Sequence, residues 1–141
     1  MTMNNYVTFI CNKYPDIHRE NGYCKEEELF GQYLSDEFDK RCNYADQEYF
    51  VDTGFELYFK IGKRTIFSLV TVVDDETKKF AISTSSTLNK LEKIFKATDD
   101  KEHSRINQII DDILRLDKSI SEIAWSIKQQ ADLNAYEGQR P

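Results

Sequence analysis

Seven branched apolar residues near the C-terminus, Ile106, Ile109, Ile113, Leu116, Ile120, Ile123 and Ile127, recur at alternating spacings of three and four. A period of 3.5 held over three heptads is the seam of an α-helix packed against a neighbour. With Asp99 and Glu102 as a variant capping box, the pattern predicts one helix from Asp99 to about Ala131. Ile110, Leu114, Ala124 and Trp125 widen the stripe. Flanking residues such as Arg105, Asp112, Asp117 and Ser119 lack the complementary charges that select a partner helix, which favours packing inside the domain. Length argues the other way. About 30 residues at ~1.5 Å each span roughly 45 Å, whereas a compact domain of this size is roughly 37 Å across. The helix must either bend near Asp117-Lys118-Ser119 or project its end toward a second copy, so the chain is a monomer or a helix-mediated homodimer.

The remainder has to supply what this helix packs on. A chain of 141 residues, 40% hydrophobic and 13% aromatic, can bury an ordinary core in a single domain over 1–141 and is not disordered. Tyr6, Phe9, Ile10 and Tyr14 follow helical spacing behind Asn4 and Asn5, although the run also alternates well enough for a strand; a helix ending at Pro15 is expected. Leu29, Phe30, Tyr33, Leu34, Phe38 and Cys42 form the stripe of a second helix. Glu26, Glu27 and Glu28 sit in its first turn and Lys40 and Arg41 in its last, where the macrodipole favours each sign.

Phe55, Leu57, Phe59 and Ile61 then alternate with polar residues, Gly62-Lys63 suits a hairpin turn, and Arg64 to Val73 is rich in β-branched residues. After the turn Asp74-Asp75-Glu76-Thr77, Lys79 to Ser83 completes a three-stranded antiparallel meander. Ser85, Ser86 and Thr87 cap a short helix carrying Leu88, Leu91, Ile94 and Phe95. The expected fold class is α+β: N-terminal helices, the meander, then a short and a long C-terminal helix packed on the sheet. Residues 134–141 are expected to fray.

Compartment and partners are constrained by charge and cysteine usage. The net charge of −6 argues against nucleic acid and anionic membranes as partners. No apolar run reaches the ~18 to 20 residues of a membrane span, and the first residues lack the pattern of a signal peptide. Cys11, Cys24 and Cys42 are an odd, widely spaced set, which implies reduced thiols and a cytoplasmic protein.

No motif of nucleophilic, phosphate-binding or metal chemistry is present, so no catalytic residue, no metal and no cofactor is expected. Asp16, His18 and Glu20 carry ligand atoms but match no zinc spacing. Charge is instead segregated: residues 1–54 carry five basic and eleven acidic side chains, 55–98 eight and five, and 99–141 six and nine. Acidic side chains interleaved with tyrosines have the chemistry of a hot spot aimed at a basic protein. The candidate contact residues are Glu26, Glu27, Asp36, Glu37, Asp39, Tyr44, Asp46, Glu48 and Tyr49. The first functional reading is therefore an acidic protein-binding domain, such as an immunity protein or inhibitor that neutralises a basic nuclease toxin. A second is a dimeric acidic secretion chaperone or adaptor. A third is an enzyme, which would need a pocket gathering His18, a cysteine and carboxylates.

Overall fold

In the computed structural model, which describes residues 5–41, 45–51, 54–61, 64–87, 96–127 and 136–137, the run after Asn5 is extended. It forms β1 (Tyr6–Cys11) in place of the expected first helix. Val7, Phe9 and Cys11 are fully buried on one side and Tyr6 and Ile10 are half-buried on the other, the period of two that a strand requires. A small hairpin follows, β2 (Arg19–Glu20) and β3 (Tyr23–Cys24), with Asn21 and Gly22 at φ 52° and 82° making its turn.

Helix α1 (Lys25–Arg41) lies where the apolar stripe placed it, burying Phe30, Leu34 and Phe38. The strands β4 (Ala45–Val51), β5 (Gly54–Ile61), β6 (Arg64–Asp74) and β7 (Lys79–Thr87) make a meander of four strands where three were expected. Ser85 to Thr87, expected as a helix cap, are the last residues of β7. Cys42, Tyr44, the Gly62-Lys63 turn and the remainder of the expected short helix, 88–95, lie outside the described residues.

Helix α2 (Lys96–Leu116) stops where the long helix was expected to bend, and the chain returns as β8 (Ile120–Ser126). With β9 (Tyr136–Glu137), the antiparallel sheet has the order β4-β5-β6-β7-β1-β8-β9. Both helices cover one face, α1 over β4 to β6 and α2 over β7 and β8. The molecule is mostly sheet, with two helices among the described residues.

Two devices end α2 and turn a helical spacing into a strand. Asp117 Oδ1 accepts the Ser119 backbone N–H at 2.9 Å and its hydroxyl at 2.6 Å, a local turn that competes with helical continuation. In β8, Thr8 pairs with Ala124 but Ile10 pairs with Ser121, so three steps on β8 match two on β1. This bulge places its extra residue, Glu122, in the left-handed region at φ 53°. Because the bulge shifts the alternation by one residue, Ile120, Ile123 and Trp125 are all buried. The i, i+3 spacing of Ile120 and Ile123 that resembles a helix is thus the signature of a bulged strand.

The core is a sandwich of aromatic rings between α1 and the central strands. Phe9, Phe30 and Phe80 form a triangle with centroids 5.3 to 5.9 Å apart. Phe38 stacks on Phe59 at 4.6 Å. Such pairs add roughly 0.5–1.5 kcal/mol each beyond their buried area. Tyr14 and Ile17 extend the cluster into the β1–β2 loop, holding one end of the sheet in place.

Candidate functional site

One end of the domain gathers the β1–β2 loop, the β2–β3 hairpin, the β6–β7 turn and the α2–β8 turn. Backbone bonds tie these loops to each other: Cys11 N–H to Lys78 O at 3.0 Å, Asn12 N–H to Ser119 O at 2.8 Å and Lys25 N–H to His18 O at 3.1 Å. Side chains complete the lock. Arg19 Nε donates to both Asp75 oxygens at 2.9 and 2.8 Å, and its Nη2 donates to Val72 O at 2.9 Å. That pairing holds the Arg19 guanidinium more firmly protonated than usual. His18 Nδ1 lies 2.9 Å from Glu26 Oε2, while Glu26 Oε1 accepts the His18 backbone N–H at 2.5 Å. The Tyr23 hydroxyl donates to Glu28.

Asp117 anchors the same end from below. Its Oδ2 accepts the Tyr33 hydroxyl at 2.7 Å and pairs with Lys13 Nζ at 2.7 Å, and the ammonium also sits 4.2 Å from the Tyr33 ring centroid. Burial alone would raise the Asp117 pKa, but hydrogen bonds from Lys13, Ser119 and Tyr33 overcome it and hold this carboxyl well below its usual range. The same contact, together with burial, pushes Tyr33 up. Glu27 shows the opposite balance: burial raises its pKa despite the Val72 N–H it accepts at 2.8 Å.

The β6–β7 turn of this frame presents carboxylates to solvent, beside loops that also expose Lys25 and Lys118. Val73, Asp74, Asp75, Glu76 and Thr77 are all exposed, Val73 at 49%, and Asp16 and Glu20 are exposed on the adjoining loops. Arg19 engages Asp75; Asp74 and Glu76 have no cation paired to them among the described residues. The turn separates two depressions. One, of about 470 Å³, is lined by Ile17, His18, Arg19, Glu20, Tyr23 and Lys25. The other, of about 400 Å³, opens on the sheet face away from the helices and includes Asp74 and Thr77.

Of the nine contact residues that the sequence suggests, two are inside the fold. Glu26 and Glu27 are buried, at 2% and 4% exposure, because their carboxylates bond the neighbouring loop and strand. Glu37 is bound by Lys40 at 2.8 Å and Arg41 at 3.1 Å, which lowers its pKa. Asp36 and Asp39 are exposed on α1. Tyr44 lies outside the described residues. Asp46, Glu48 and Tyr49 belong to β4, Asp46 at a shift of register and the other two paired with Leu57 and Glu56.

The apolar seam is divided between helix and strand. Ile106 and Ile113 on α2 and Ile120 and Ile123 on β8 are buried in the domain core, Ile109 and Ile127 are half-buried, and Leu116 is 72% exposed. The expected continuous seam of a long helix does not exist, because the chain reverses at Asp117.

No three His, Cys, Asp or Glu side chains gather to hold a metal among the described residues. His18 meets a carboxylate, but Cys24 beside it is fully buried, and burial pushes its thiol up and away from the nucleophilic thiolate. Cys11 is likewise free, buried and raised. No helix among the described residues is long and apolar enough to cross a membrane.

The features missed by pattern are those that link distant segments: Arg19 to Asp75, His18 to Glu26 and the Glu122 bulge. The run Asp74-Asp75-Glu76 is visible in the sequence, where its composition specifies only a polar turn. Fold and site together give an α+β arrangement, a main sheet layered with two helices, that carries a cross-braced loop end with an acidic β6–β7 turn. Comparison with family models, curated proteins and solved structures finds no match for the chain.

Proposed function

We propose that this protein is an acidic, cytoplasmic binding domain that captures a basic protein, in the manner of an immunity protein or inhibitor that neutralises a nuclease toxin. The observation that carries the reading is the exposed turn Val73 to Thr77: three consecutive carboxylates and a half-exposed valine on a rim made rigid by Arg19 and Asp75. A preformed rim lowers the ordering cost of association, and its charge steers a basic partner from a distance. The contact surface assigned here is the loop end, with Asp16, Glu20, Asp74 and Glu76 as its acidic groups; Asp36 and Asp39 on α1 add to the long-range field.

The test starts from affinity capture in the native host, followed by identification of the partner and measurement of its binding by calorimetry. The reading requires a basic partner whose affinity falls at least tenfold between 50 and 300 mM salt, roughly the range in which screening removes long-range attraction. It also requires Glu76→Lys to weaken binding. A partner whose affinity ignores both salt and charge reversal overturns it.

A further inference from the structure

We infer that the depression on the sheet face away from the helices receives a single arginine side chain of that basic partner; the inference rests on the function proposed above. Its floor is apolar, made by Ile10 of β1 and Ala124 of β8, with Thr8 beside them. Two carboxylates line it as well, Asp74 at the β6–β7 turn and Glu122 at the bulge of β8. Neither carboxylate is ion-paired among the described residues, and Lys79, which also lines the depression, lies within 4 Å of neither as a salt bridge.

A volume of about 400 Å³ is small for a ligand site, at the low end of the ~300–1,000 Å³ range, and matches one long side chain rather than a folded segment. Arginine suits it in three ways. Its methylene stem covers the Ile10 and Ala124 floor, its weakly hydrated guanidinium leaves water readily, and its several donors can serve Asp74, Glu122 and the Thr77 hydroxyl together. A lysine head presents a strongly hydrated point charge and satisfies fewer acceptors. Lys79 sets the balance: with one resident cation against two carboxylates, the site has room for one more positive charge and not two.

The protein, labelled with nitrogen-15, is titrated with the N-acetylated amides of arginine, lysine and citrulline, the last an isostere of arginine with an uncharged side chain. Arginine amide is expected to shift the amide signals of Thr8, Ile10, Thr77 and Ala124 saturably, and citrulline amide to leave them in place. Glu122→Gln, which keeps the backbone and removes only the charge, is expected to weaken arginine amide at least threefold. Asp74→Asn, which can still accept the Glu76 N–H, is expected to do the same. Equal responses to arginine and citrulline amides, or to arginine and lysine amides, overturn the assignment, as does binding indifferent to both variants. Failure here is separable from failure of the proposed function. If Glu76→Lys weakens the natural partner but Glu122→Gln and Asp74→Asn do not, the arginine pocket is wrong and the acidic loop end stands.

Discussion

Asp111→Ala separates the observed C-terminal half from the continuous helix that its isoleucine spacing predicts. Asp111 is fully buried on α2, its Oδ1 accepts the Trp125 indole N–H at 2.8 Å, and its two oxygens accept Arg115 Nε at 2.9 and 3.1 Å. On a continuous helix, residues 14 apart would be held about 21 Å from each other and could not touch. Truncating the carboxylate removes the acceptor of a buried indole donor, a loss of about 1–3 kcal/mol. Arg115, with 28% of its side chain exposed, can turn to water and adds only roughly a few tenths. The expected destabilisation is thus about 1–3 kcal/mol, a large share of the ~5–15 kcal/mol of a whole domain. Urea unfolding by circular dichroism on Asp111→Ala, Trp125→Phe and the double variant gives the coupling directly. A coupling of about 1–2 kcal/mol is expected, and Asp111→Asn, which keeps an acceptor, should lose less than Asp111→Ala. A coupling within ~0.3 kcal/mol of zero would refute the contact between α2 and β8.

Gly31→Ala on α1 would press a methyl group into the Phe55 ring, with Cγ and Cε1 at 2.5 and 2.6 Å, so overpacking of about 1–3 kcal/mol should outweigh the ~1 kcal/mol gained in helix propensity; thermal unfolding checks this, and a more stable variant contradicts the packing of α1 on β5. Glu27 and Asp117 should pull the pH profile in opposite directions. The folded state holds the Glu27 proton more tightly than the unfolded chain, so wild type loses stability as pH rises from the ordinary value of 4.5 through the raised one, and Glu27→Gln should be the more stable above that window. Asp117 is depressed, so its contribution is present above the ordinary 3.8 and is lost as pH falls toward its folded value; Asp117→Asn should flatten this acid limb in unfolding curves recorded from pH 2 to 7. Glu122→Asn should be neutral or stabilise by up to about 1 kcal/mol, since asparagine enters the left-handed region more readily; a loss above ~1 kcal/mol would mean that the carboxylate itself holds the fold.

Local signals were legible where neighbours in sequence are also neighbours in space. The glutamates at the start of α1, the basic pair at its end and the alternation from Phe55 to Phe59 each specify their own element. So does the Asp74-Asp75-Glu76 turn. The candidate site is not legible in the same way: the acidic residues that the sequence singles out lie between Glu26 and Tyr49, away from the β6–β7 turn, and Glu26 and Glu27 turn their carboxylates inward to His18 and Val72. A charged residue in a first turn looks the same in sequence whether its partner is water or a buried N–H.

By itself the sequence determined the acidic balance, the α1 helix, the strands β5 to β7 of the meander and the lack of any catalytic motif, because composition and short-range periodicity act through the chain's own covalent neighbours. Only the tertiary structure decided that Tyr6 to Cys11 and Ile120 to Ser126 are adjacent strands, since each completes its backbone hydrogen bonds on the other across more than a hundred residues. A branched run that fits two periods takes whichever one its distant partner offers. Here a single bulge at Glu122 was enough to make a strand carry the spacing of a helix.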